Sequence, residues 1–176
     1  EQERVRTPID ALLLSAMPEG LGFAADASRE TLVKRAYLDL VGLPPGPEEM
    51  QRWLSDSTEE WYSSLINELL ASARYGERWA RHWLDVAGYA DSEGYNARDA
   101  ERPWSWKYRD YVIRSFNADK PFDRFIVEQL AGDELAGPRD GDWNEDQIEL
   151  LTATGFLRMG ADGTGSGADD SDSRNQ

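Results

Sequence analysis

The sequence predicts an all-α fold: a single irregular helical domain of about seven or eight helices with a Gly/Asp/Ser-rich C-terminal tail. Three observations carry this. Apolar residues recur at three- and four-residue steps along most of the chain. Strand-type alternation never lasts long enough to define a strand. Prolines, glycines and capping residues punctuate the pattern at helix-sized intervals. The helical domain is expected over 1–159, and 160–176 reads as an acidic Gly/Ser-rich tail or linker leading to the missing remainder of the domain.

The elements follow in order. Over 8–17, Ile9, Leu12, Leu13 and Ala16 share one stripe, and Pro8 suits a first turn. Ser28 is an N-cap for a helix whose apolar positions are Leu32, Val33, Ala36, Tyr37, Leu40 and Val41. Gly42 and Pro44-Pro45 end it. Pro47 opens a short helix through Leu54. Thr58 is expected to cap the next, with Glu59 and Glu60 at its positive end and Trp61, Tyr62, Leu65, Ile66, Leu69 and Leu70 buried. A helix is expected over 75–87 and a loop over 88–102. Pro103 restarts a helix with the stripe Trp104, Tyr108, Tyr111, Val112 and Phe116. Pro121 opens another, with Phe122, Phe125, Ile126 and Leu130 inward. A polar break at 133–144 precedes a last helix over about 145–158, carrying Ile148, Leu151, Phe156 and Leu157. From Gly160 onward the chain holds four Gly, four Asp and three Ser, a linker composition.

The chain has 176 residues and a net charge of −15, with 34 acidic against 19 basic side chains. Such a surface repels phosphate backbones and anionic lipid, so nucleic acid is not an expected partner; cationic partners and divalent metals are compatible. Without cysteine, the chain itself offers no disulfide, thiolate catalysis, Cys-based zinc site or covalent c-type haem. No apolar run approaches the roughly 18 residues of a membrane span. The first residues, Glu1-Gln2-Glu3-Arg4, read as the start of a mature or excised segment without a signal peptide.

The 75–87 helix is the most informative. At about 100° per residue, Tyr75, Trp79, Ala80, Trp83, Leu84, Val86 and Ala87 fill one half of the wheel, and Glu77, Arg78, Arg81 and Asp85 the other. His82, the only histidine, falls at the seam, three residues before Asp85. Two readings stand. One is a haem or metal ligand oriented by Asp85. The other is a half-buried histidine bonded to a carbonyl or carboxylate. One histidine alone makes no zinc site.

The 88–102 loop has a length common among functional loops and holds Asp91, Glu93, Asp99 and Glu101 beside Tyr89, Tyr95, Arg98 and Arg102. Asp91 and Glu93 are calcium candidates, as are Asp162, Asp169, Asp170 and Asp172 of the tail, although neither segment matches the EF-hand spacing. A solvated loop held by its own Arg–carboxylate pairs is the plainer reading. Asp85, Asp91 and Glu93 could form a paired-carboxylate glycosidase site only across a sugar cleft. Trp104 and Trp106 lie on opposite sides of a helix start; one is expected in the core, the other free to stack on a sugar or a protein.

Several runs carry a family resemblance: Tyr37-Leu-Asp-Leu-Val-Gly-Leu-Pro-Pro45, Arg74-Tyr-Gly-Glu-Arg-Trp-Ala-Arg-His-Trp-Leu-Asp85, Tyr89-Ala-Asp-Ser-Glu-Gly-Tyr95, Trp106-Lys-Tyr-Arg-Asp-Tyr-Val-Ile-Arg114, Asn117-Ala-Asp-Lys-Pro-Phe-Asp123, Glu128-Gln-Leu-Ala-Gly-Asp133 and Ala153-Thr-Gly-Phe-Leu157. Across about 8–176 the chain resembles the planctomycete cytochrome-associated (PSCyt-type) domain family of unknown function. The resemblance implies a large exported bacterial protein, periplasmic or at the cell surface, often with a c-type cytochrome module upstream and a second uncharacterised domain downstream. In that family the region beyond the tail commonly leads into a Cys-x-x-Cys-His haem-attachment motif. This chain contains none, so the resemblance places haem c in the full-length protein only. Members often carry a basic residue where Gly88 stands here. No settled catalytic residues come with the resemblance.

Two function classes follow. One is a redox or scaffold domain associated with c-type cytochrome modules, with neighbouring domains of the same polypeptide as partners. The other is a carbohydrate-binding or carbohydrate-active module using the 88–102 loop and an exposed Trp. A contiguous pocket joining His82, Asp85, Asp91 and Glu93 would favour the second.

Overall fold

A computed structural model describes residues 4–92, 99–139 and 141–160. Among them are eight α-helices: α1 (Pro8–Ala16), α2 (Arg29–Leu40), α3 (Pro47–Ser55), α4 (Trp61–Leu70), α5 (Ala73–Ala87), α6 (Ser105–Asn117), α7 (Phe122–Ala136) and α8 (Glu145–Ala153). A 3-10 turn, Thr154–Arg158, closes α8. The only β pairing among the described residues is an isolated antiparallel bridge between Ser92 and Glu101. No described helix is long and apolar enough to cross a membrane.

The local chemistry sets the helix starts. Thr7 and Asp10 form a reciprocal capping box on α1, with Asp10 Oδ2 accepting from the Thr7 N–H at 2.8 Å. Ser28 Oγ accepts the Thr31 N–H at 3.3 Å, as its position predicts. Asn144 and Gln147 cap α8 in the same reciprocal way. The expectation for Thr58 is corrected. Its N–H and hydroxyl both go to Asp56 Oδ1, at 2.8 and 2.7 Å, and α4 starts only at Trp61 behind Glu60. The short acidic side chain captured the threonine in a turn before it could cap anything.

Two hydrophobic clusters form. The first joins α2, α3 and α4 through Val33, Ala36, Tyr37, Val41, Trp53, Leu65 and Leu69. The second joins α5 to α8 through Ala80, Tyr108, Tyr111, Val112, Phe125, Ala153 and Met159. Backbones approach closely in the second. A Cβ on Gly132 of α7 would collide with the Leu150 carbonyl oxygen of α8, so only glycine permits this crossing. The neighbouring Ala131 leaves helical geometry (φ −139°, ψ 25°), which kinks α7 at the same place. The Arg114 guanidinium grips Glu149 with two hydrogen bonds, 3.2 and 2.6 Å, tying α6 to α8.

Several expected stripes are wider than the surface their neighbours cover. Tyr62, Leu70, Val86, Phe122, Leu130, Ile148 and Leu157 are exposed, while Leu65, Leu69 and Phe125 beside them are buried. One or two packed neighbours shield a narrow arc of a helix, and apolar residues at its edges stay in water. α1 is the extreme case: it buries none of its residues, and Ile9 is 67% exposed.

Candidate functional site

A concavity lies where the start of α6 meets the end of α8 and the 3-10 turn. It measures about 330 Å³. Tyr108, Leu151, Thr152, Gly155 and Met159 line its inner part, and Arg102, Pro103, Trp104, Ser105, Lys107 and Arg158 complete it. This is the size range of small-molecule sites.

Each wall has a local cause. Arg102 N–H donates to the Asp91 carbonyl at 2.8 Å, which closes the base of the 88–102 loop. The Arg102 guanidinium then reaches across to the Met159 and Gly160 carbonyls at 3.2 and 3.0 Å, fixing the rim to the end of the 3-10 turn. Asp91 Oδ1 accepts from the Tyr89 hydroxyl at 2.6 Å and from Ser105 Oγ at 3.3 Å. Burial, then the Asp91 carboxylate, pushes the Tyr89 hydroxyl above its ordinary pKa, so it stays a donor.

Trp104 is the exposed feature. It precedes the first residue of α6 and is 68% exposed. The Lys107 ammonium sits 4.9 Å from its ring centroid and 5.9 Å from that of Trp106. Trp106 is exposed as well, so the expectation that one of this pair joins the core is corrected. The tryptophan that does enter the second cluster is Trp83, packed 5.0 Å from Phe125 between ring centroids.

Beneath the pocket lies a polar lattice. Gln129 Oε1 accepts from the Tyr108 hydroxyl at 2.6 Å and from Trp83 Nε1 at 2.8 Å, while Gln129 Nε2 donates to the Phe125 carbonyl. Burial pushes the Tyr108 hydroxyl up to about 12, so it stays a neutral donor to Gln129. The preceding residue, Glu128, is 3% exposed. Burial alone would raise its carboxyl. Lys120 Nζ (2.5 Å), Arg124 Nε (2.7 Å) and the Tyr111 hydroxyl (2.9 Å) bind the charged form and hold it below the ordinary value. Burial and that carboxylate push the Tyr111 hydroxyl far up.

The residues singled out in the sequence are only partly brought together. Trp104 lines the pocket, and Asp91 lies one hydrogen bond behind it, on Ser105. His82 and Asp85 lie exposed on α5 and do not line the pocket. The His82 ring packs 5.4 Å from that of Trp79, and no hydrogen bond joins it to Asp85 among the described residues. Glu93, Asp162, Asp169, Asp170 and Asp172 lie outside the described residues. Among those described, no three His, Asp or Glu side chains cluster to hold a metal ion. Sequence reasoning missed Lys107 and Arg158. The run Arg102-Pro-Trp-Ser-Trp-Lys107, two cations bracketing two tryptophans, is a readable signal for the first; Arg158 carries none.

Comparison with known proteins gives one positive result. The family model PSCyt2, described as a protein of unknown function (DUF1549), matches residues 8–176. No curated protein and no solved structure matches.

Proposed function

Because the chain belongs to the PSCyt2 family of unknown function, its role is read from its own surface, and we propose that it is a carbohydrate-binding module within an exported protein. The observation that supports this is Trp104: a largely exposed indole lining a small-molecule-sized pocket whose Tyr108 stays neutral. A flat aromatic face presented to water suits the apolar face of a pyranose ring. Binding rather than cleavage fits the lining, because its described residues include no carboxylate.

Titration of tryptophan fluorescence with a panel of oligosaccharides tests this. Saturable binding is expected, and Trp104→Ala should weaken it at least tenfold while leaving the thermal melt unchanged. Binding that is indifferent to Trp104→Ala would rule the site out.

A second reading, a redox or scaffold role beside c-type cytochrome modules, draws on the uncovered apolar face of α1 and the exposed imidazole of His82. This chain has no cysteine and so cannot attach a c-type haem covalently, and it has a single histidine. His82 would therefore act as one ligand to a group carried by a neighbouring domain, and α1 would dock there. His82→Ala in the full-length, haem-loaded protein should then shift haem absorbance and reduction potential; unchanged values would leave a structural histidine. Calcium at Asp91, Glu93 and the tail aspartates is proposed alongside. A melting temperature unmoved by millimolar calcium or chelator would speak against it.

A further inference from the structure

We propose that the Trp104 pocket selects sugars bearing a negative charge, a uronate carboxylate or a sulfate ester; this rests on the carbohydrate reading above.

The argument starts from a local inversion of charge. The whole chain carries 34 acidic and 19 basic side chains. The described pocket lining includes Arg102, Lys107 and Arg158 and no Asp or Glu. Three cations line this concavity, and the Asp91 carboxylate behind Ser105 is taken up by the Tyr89 and Ser105 hydroxyls. Low-dielectric walls focus such a field into the cavity, where it attracts anions.

The cations are also placed for a ligand. Lys107 forms no ion pair with a carboxylate among the described residues; its ammonium lies over Trp104 and Trp106 instead. Ring faces offer no hydrogen-bond acceptor of the usual kind, so the three ammonium donors are left for an incoming oxygen. Arg102 is anchored by two of its five donors to the Met159 and Gly160 carbonyls, which fixes the direction of the rest. An anionic group held by these cations would place its sugar ring within reach of the Trp104 face. A bare anion would use the cations and leave the tryptophan idle. The joint presence of both features favours a charged sugar.

The test uses the 176-residue chain at near-physiological salt, with four probes: an oligogalacturonate, a sulfated oligosaccharide, a neutral oligosaccharide of the same length, and inorganic sulfate. The expected result is binding of one or both charged sugars at least tenfold tighter than the neutral one, weakening as salt rises. Whichever charged sugar binds more tightly identifies the anion. Lys107→Gln should erase most of this preference without shifting the thermal melt, and Trp104→Ala should weaken binding of every sugar. Equal affinity for neutral and charged sugars would overturn the charge selectivity and leave the carbohydrate reading standing. Inorganic sulfate binding as tightly as the sugars, or no probe binding at all, would overturn both.

Discussion

Where α2, α3 and α4 meet, the interior is built mostly of apolar side chains, and the Arg52–Glu68 ion pair beside it lies at the surface. Arg52 of α3 pairs with Glu68 of α4 with both side chains about half exposed, and the Arg29 guanidinium lies 4.0 Å over the Trp61 ring. Where α6 and α7 meet, a glutamate lies inside, held by Lys120, Arg124 and Tyr111, with Gln129 bonded to Tyr108 and Trp83 beside it. The first cluster could be repacked with other apolar residues at small cost. The second resists this, because Glu128 and Gln129 each depend on their own partners. The pocket is built on the second. The difference teaches that directional bonds are concentrated where a floor must not move, and that the α2–α4 cluster supplies ordinary burial.

The largest effect should come from Gly132→Ala. The added methyl meets a backbone oxygen of α8, which cannot rotate away as a side chain would. A loss of about 3 kcal/mol in urea unfolding is expected, the top of the usual overpacking range, despite alanine's better helix propensity. A neutral result would mean that α7 and α8 can slide, and the contrast between the clusters would break.

Next is a matched pair of carboxylate deletions. Glu128→Ala should cost about 3 kcal/mol, near the low end for breaking a buried pair because Arg124 reaches water. Glu68→Ala removes a similar-looking pair from the first cluster and should cost less than about 1 kcal/mol. Equal losses would erase the distinction.

Acid sharpens it further. Glu128 titrates below its ordinary value of 4.5 in the folded protein, so its stabilising contribution is complete above that pH and is lost as pH falls through the lower folded value. Stability measured between pH 6 and pH 3 should therefore fall less steeply in Glu128→Gln than in the parent chain. An unchanged slope would show that other carboxylates dominate.

How much of this could be read in the sequence depended on where the cause lay. Ser28, Pro8 and Pro47 mark helix starts through local chemistry, and the α2 face is packed as its periodicity predicts. Thr58 misled because its N–H and hydroxyl donate to Asp56 instead of its oxygen accepting a helix N–H, and Phe122 and Leu130 misled because periodicity defines a face without saying how far a neighbour covers it. The periodicity gave Glu128 and Gln129 no role in the core; their partners Tyr111, Tyr108 and Trp83 come from other helices. The pocket was half legible for the same reason. Asp91, Arg102 and Trp104 belong to one loop and its exit, whereas Leu151, Arg158 and Met159 arrive from some fifty residues further along.

Hydrogen–deuterium exchange of the chain with and without a saturating acidic oligosaccharide tests most directly whether the rigid cluster carries the site. Slower exchange should be confined to 102–108 and 151–159, with α2, α3 and α4 unchanged. Slowing within α2–α4, with none around Trp104, would contradict it.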